Sequence, residues 1–130
     1  MWEWVRGCGS ALMLSAMPAL AYDVPSGQPV TLSEVLVDQV GTEAWLRFRF
    51  VAPDIARGAG AVSYADAEAD FQALCDGFAL GYMTEFDLSA DVVVISLMDR
   101  PVPFGTSDPD ATQFFEAYRI GPEGCVWEAF

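Results

Sequence analysis

Two thiols, Cys75 and Cys125, are the groups in this 130-residue chain whose chemistry is easiest to name. In an oxidising compartment two cysteines admit a single pairing, and a Cys75–Cys125 disulfide is expected. A bridge closing so long a span stabilises a fold by roughly 4 kcal/mol in the chain-entropy picture. Other reactive sets are mostly missing. Histidine and lysine are absent, and all six basic residues are arginine. Without histidine there is no Ser-His or Cys-His nucleophile pair and no common zinc site. Without lysine there is no Schiff base and no phosphate-loop lysine. Neither GxGxxG nor GxSxG occurs. The sequence therefore assigns no catalytic residue, no cofactor and no metal. Its 19 acidic residues leave one enzymatic alternative, a small hydrolase working through paired carboxylates.

Two further patterns bear on binding. Asp108 and Asp110 have the spacing of a calcium loop, with Thr112 at the fifth position. Gln113 then stands where that loop needs glycine, and Arg119 where it needs glutamate, so an Asx-type turn is the expectation. In "AWLRFRFVAP", Trp45, Arg47 and Arg49 alternate on one side of a strand. Aromatic and arginine side chains are enriched at binding hot spots, although carboxylates such as Glu34 on a neighbouring strand would pair with these arginines. Asp99, Arg100, Glu116 and Arg119 form a second polar set near a proline-rich loop, 100–111. Trp45, Arg47, Arg49, Arg100 and Arg119 are the candidate partner-binding residues.

The elements that must position these groups can be read in order. Residues 1–21, "MWEWVRGCGSALMLSAMPALA", carry a short head ending in Arg6, an apolar run and a closing Ala-Leu-Ala. Small residues before Tyr22 suit signal peptidase, so cleavage after Ala21 is expected. As a helix the apolar stretch would reach about 21 Å, short of the roughly 30 Å of a bilayer core, which argues against a stable membrane anchor after cleavage. Residues 22–130 then form a single domain that retains Cys75 and Cys125 but not Cys8. The segment "SYADAEADFQALCDGFALGYM" reads as a helix, opened by Ser63 and Asp66 as a capping box, with Gly81 as its stop. Ala67, Phe71, Leu74, Cys75 and Phe78 form its apolar stripe, and the acids, Asp70 among them, occupy the remaining surface. "PVTLSEVLVDQ" and "AWLRFRFVAP" make a hairpin, with a slip in alternation near Ser33-Glu34 that suggests a bulge. "DVVVISLMD", apolar on both sides, suits a central strand. "TQFFEAYRI" and "CVWEAF" form a second hairpin across "GPEG". The fold class is α+β: an antiparallel sheet of about five strands in β-β-α-β-β-β order, with one helix on one face.

"WLRFRFVAPDIA", "LCDGFAL", "VVVISLMDRPVPFG", "DPDATQFFEAYRI" and "CVWEAF" together resemble a family of short exported Gram-negative bacterial proteins of unknown function. The resemblance implies a periplasmic location and no activity. Composition narrows the partners further. At 53% hydrophobic and 19% charged the chain is not of the disordered class. A net charge of −13 repels phosphate backbones, so no nucleic acid is expected. The reading is a small acidic periplasmic domain, a non-enzymatic interaction or accessory protein whose partner is a protein or small ligand.

Overall fold

The computed structural model describes residues 21–130; the expected signal segment, with Cys8, lies outside the described residues except for its last residue, Ala21. Strands β1 (Thr31–Val40) and β2 (Glu43–Val51) form the first hairpin. Its register shifts between Leu32 and Glu34, a bulge at the place where the alternation of the sequence slips. After a single turn of 3-10 helix (Pro53–Ile55) comes a helical rod built of α1 (Tyr64–Ala73), a π-wound stretch (Leu74–Ala79) and α2 (Leu80–Glu85). Strand β3 (Val92–Met98) follows, then the long loop, and β4 (Gln113–Gly121) and β5 (Gly124–Glu128) close the chain.

The five strands lie in the order β1-β2-β3-β4-β5. Three of the four pairings are antiparallel, but β2 and β3 run parallel, so the sheet is mixed. The cause is the rod between them. A helical crossover returns the chain to the end where it started, and the next strand must then run in the same direction. The second hairpin also turns more tightly than expected, since Gly121 pairs with Gly124 across two residues.

Alternation decides which side of the sheet is covered. Leu46, Phe48 and Phe50 of β2 and Val93, Ile95 and Leu97 of β3 point to the rod and are buried. They meet Phe71, Leu74, Cys75 and Ala79 from above. Full burial of such side chains contributes about 1.5–3 kcal/mol each, which makes this layer the main source of stability. On the other side of β3, Val92 and Val94 pack with Ala117 and Trp45, while Met98 packs with Val102 and Ala111 of the long loop.

Three features lock the rod in place. Ser63 accepts from the Asp66 N–H and Asp66 accepts from the Ser63 N–H, so the capping box forms. Asp70 is not on the surface. It is fully buried and accepts from the Ser26 N–H (2.9 Å), the Ser26 hydroxyl (2.6 Å) and the Gln28 amide (2.8 Å), which ties the segment before β1 to the rod. Those three donors replace the water the carboxylate gives up. Gly81 does not stop the helix, which continues to Glu85. The stop is Asp87, at φ +53°, with the Leu88 N–H bonded to the Met83 carbonyl and the Asp87 N–H to that of Thr84. This is a Schellman closure with aspartate in the left-handed position where glycine is usual.

The rod is also fastened to β5. Cys75 and Cys125 are joined by a disulfide, with Cα atoms 6.1 Å apart. Beside it Asp76 Oδ1 accepts from the Cys125 N–H (2.8 Å), and Gln72 Nε2 donates to the Cys125 carbonyl (2.9 Å). The π winding falls at this point, where the Leu80 N–H reaches back five residues to the Cys75 carbonyl. Gly124 permits the approach: its φ is +129°, and a Cβ there would lie 2.7 Å from Asp76 Oδ1.

Candidate interaction face

The side of the sheet turned away from the rod carries Trp45, Arg47 and Arg49 from β2, with Val92, Val94 and Ser96 beside them on β3. Phe115, Ala117 and Arg119 of β4 continue the rows. The small residues Ser96 and Ala117 leave a low floor between larger side chains.

Each arginine on this face has an acid on a neighbouring strand. Arg47 donates through Nε (3.1 Å) and Nη2 (2.9 Å) to Asp38. Arg49 pairs with Glu34, gives a further hydrogen bond to the Val102 carbonyl (2.8 Å), and is nearly buried beneath the long loop. Arg119 bridges Glu43 and Glu128, at 2.8 Å to each. The Arg119 guanidinium, with help from the Trp45 indole N–H, holds the Glu43 carboxyl below its usual range. The two carboxylates in turn push Arg119 higher still. Three arginines face four carboxylates, so no positive charge on this face is left over.

Aromatic rings stack over these ion pairs. The Arg47 guanidinium lies 5.2 Å from the Phe104 ring centre and 5.4 Å from that of Trp45. The Trp45 ring is 5.0 Å from Phe130, and Arg119 is 5.6 Å from the same Phe130 ring. The result is a continuous row, Phe104–Arg47–Trp45–Phe130–Arg119, whose arginine–ring contacts are worth about 0.5–1 kcal/mol each at exposed sites. Phe104, Phe115 and Phe130 stand outward, 50%, 69% and 67% exposed. Two hollows of about 190 Å³ each flank Phe115, one toward Phe104 and one toward Phe130.

Four of the five candidate residues thus meet on one face, and Arg100 does not join them. It pairs with Asp99 (2.8 Å) at the root of the long loop. The set Asp99, Arg100, Glu116 and Arg119 is divided by the sheet, because Glu116 points to the rod side, opposite Ile95. Asp108 accepts from the Asp110 N–H (3.0 Å), an Asx turn. Among the described residues, no group of three or more His, Cys, Asp or Glu is placed to hold a metal ion, and no helix is long and apolar enough to cross a membrane. Sequence reading missed Phe104, Phe115 and Phe130. Phe115 had a signal, its alternation with Phe114, whereas a ring at the tip of a loop and one at the last residue of the chain follow no period.

Fold and face together define a small disulfide-stapled α+β domain, one side of its sheet covered by a helical rod and the other dressed with arginine and aromatic side chains. Over residues 8–130 the chain matches the Family of unknown function (DUF6497), and it belongs to that family. No curated protein and no solved structure matches it.

Proposed function

We propose that this protein is an exported, periplasmic, non-enzymatic interaction domain that engages a protein partner through the bare side of its sheet. The observation that carries the reading is the trio of outward rings, Phe104, Phe115 and Phe130, around a floor of small residues. Large apolar side chains held out by a rigid sheet cost solubility and suit a contact that removes them from water. The arginines beneath them are already matched by Asp38, Glu34, Glu43 and Glu128. Their part is to hold the rings, and the partner supplies apolar side chains to the hollows beside Phe115. The disulfide supports an oxidising compartment. The apolar run ending in Ala19-Leu20-Ala21 supports export.

The test combines location with contact. Tagged full-length protein expressed in a Gram-negative host is expected in the osmotic-shock fraction. A photo-crosslinking residue at position 115 is expected to trap one dominant product in the native organism, and Phe104→Ser is expected to weaken that product at least fivefold while circular dichroism shows the variant still folded. Retention in the cytoplasm refutes the location. A cross-link pattern indifferent to Phe104→Ser refutes the face.

A further inference from the structure

On the rod side of the sheet, α1 and the second hairpin flank an open hollow of about 310 Å³ lined by Tyr64, Glu68, Gln72, Glu116, Tyr118 and Trp127. Helix and strand periods create it. Tyr64, Glu68 and Gln72 recur every fourth residue and share one stripe of α1, while Glu116 and Tyr118 alternate on β4, and Trp127 of β5 lies opposite Tyr118. The three rings are held in place before any ligand arrives. Tyr64 meets Phe114 edge-on at 5.5 Å and lies 6.0 Å from Phe71. Tyr118 is buried, whereas Tyr64 and Trp127 are exposed at the rim, where Trp127 donates its indole N–H to Glu116 (2.7 Å).

Glu116 is the residue that calls for an explanation. It occupies the apolar side of β4 between Phe114 and Tyr118, half-buried, with no basic side chain against it among the described residues. None can be spared. Arg47, Arg49, Arg100 and Arg119 are paired with acids elsewhere, Arg57 donates to the Pro109 and Ala111 carbonyls, and the chain has no lysine or histidine. Burial first, then the negative charges of Glu116, Asp76 and Glu68, push the Tyr118 phenol upward, so its ring stays neutral. The hollow is a place of negative potential walled by neutral rings.

We propose that this hollow binds an organic cation whose charge is spread over methyl groups, a quaternary or methylated ammonium. Ring faces attract diffuse cations that shed water easily, and the two carboxylates add Coulomb attraction. A small hydrated metal ion would instead require more oxygen ligands than two separate carboxylates provide. The volume is at the lower end of the range for small-ligand sites and suits a trimethylammonium head with a short tail. Glu116 and Trp127 also border the hollow between Phe115 and Phe130, whereas Glu68 lines the rod-side hollow alone, so Glu68→Gln tests this site separately from the interaction face.

The experiment is a titration of the full chain with tetramethylammonium and with choline, against sodium chloride and calcium chloride at matched ionic strength, following the Trp127 indole N–H by NMR. The expected result is a saturable shift with the organic cations only, weakened at least tenfold by Glu68→Gln. Glu68 makes no hydrogen bond that holds the fold among the described residues, and unchanged circular dichroism will confirm that the variant is folded. Glu116→Gln is expected to act likewise, and Phe104→Ser to leave the shift unchanged. No saturable shift, an equal response to either inorganic salt, or full binding by the Glu68→Gln, Glu116→Gln double variant would overturn the proposal.

Discussion

Asp99 and Asp70 are both carboxylates removed from water, and they show how differently a single residue can be read from sequence. Asp99 accepts from the Thr112 N–H (2.8 Å) and from Arg100. Burial pushes its carboxyl up, but the Arg100 guanidinium and the Thr112 N–H outweigh that and hold it below the usual range. A depressed folded-state value means that the unfolded chain binds the proton first. The contribution to stability is therefore fully present above the ordinary aspartate value of about 3.9 and lost as pH falls toward the folded value. We expect urea midpoints to drop below about pH 4 and Asp99→Asn to flatten that acid limb; a limb of unchanged slope in the variant would exclude Asp99 as its source. The Asp99–Arg100 adjacency was visible in the sequence. Asp70 was not, although it follows Ala67 by three residues and so borders the apolar stripe. Its burial depends on Ser26 and Gln28, more than forty positions away, and no local pattern announces donors at that distance.

At the scale of elements, the rod shows where local signals succeed and where they mislead. Ser63 and Asp66 lie three residues apart, and the cap they form is wholly local. Gly81 looked like a stop because glycine usually marks one, yet here it is an ordinary helical residue with open space around its Cα. The stop went to Asp87, held at φ +53° by the closure onto Met83. The two positions are therefore reversed relative to intrinsic preference. Gly81→Ala should stabilise by about 0.5–1 kcal/mol through helix propensity. Asp87→Gly should gain a similar amount, about 0.5–1 kcal/mol, by relieving the left-handed strain. Thermal melts of both single variants and the double variant check this, with near-additive increments expected because the changes share no partner. A loss of stability in Gly81→Ala would contradict the open space at that position.

For the whole molecule the decisive contact is the one between the rod and the last strand. The disulfide closes a separation of 50 residues. In the chain-entropy picture that is worth about 4 kcal/mol, a large share of the roughly 5–15 kcal/mol that holds a small domain together. The hydrogen bonds of Asp76 and Gln72 to Cys125 will keep the native arrangement populated in the reduced protein. We expect reduction, or Cys75→Ser with Cys125→Ser, to lower the unfolding free energy by about 4 kcal/mol in urea titrations while leaving the far-ultraviolet spectrum of the folded state unchanged. Equal midpoints for oxidised and reduced protein would show that the bridge adds nothing to these neighbouring contacts.

The amino-acid sequence by itself determined whatever depends on a short period or a count. Alternation named the first hairpin and the buried side of β2, a run apolar on both sides named β3, a stripe at helical period named the rod, and two cysteines allowed one bridge. The absence of histidine and lysine removed whole classes of chemistry. Tertiary structure alone decided that β2 and β3 run parallel, because strand direction is set by where a crossover returns the chain. It also decided which acid answers which arginine, that Phe104 and Phe130 join one face, and that Glu116 faces rings with no cation against it among the described residues. Those outcomes depend on residues far apart in the chain meeting at distances of a few ångströms, and spacing along a strand or helix carries no information about such meetings.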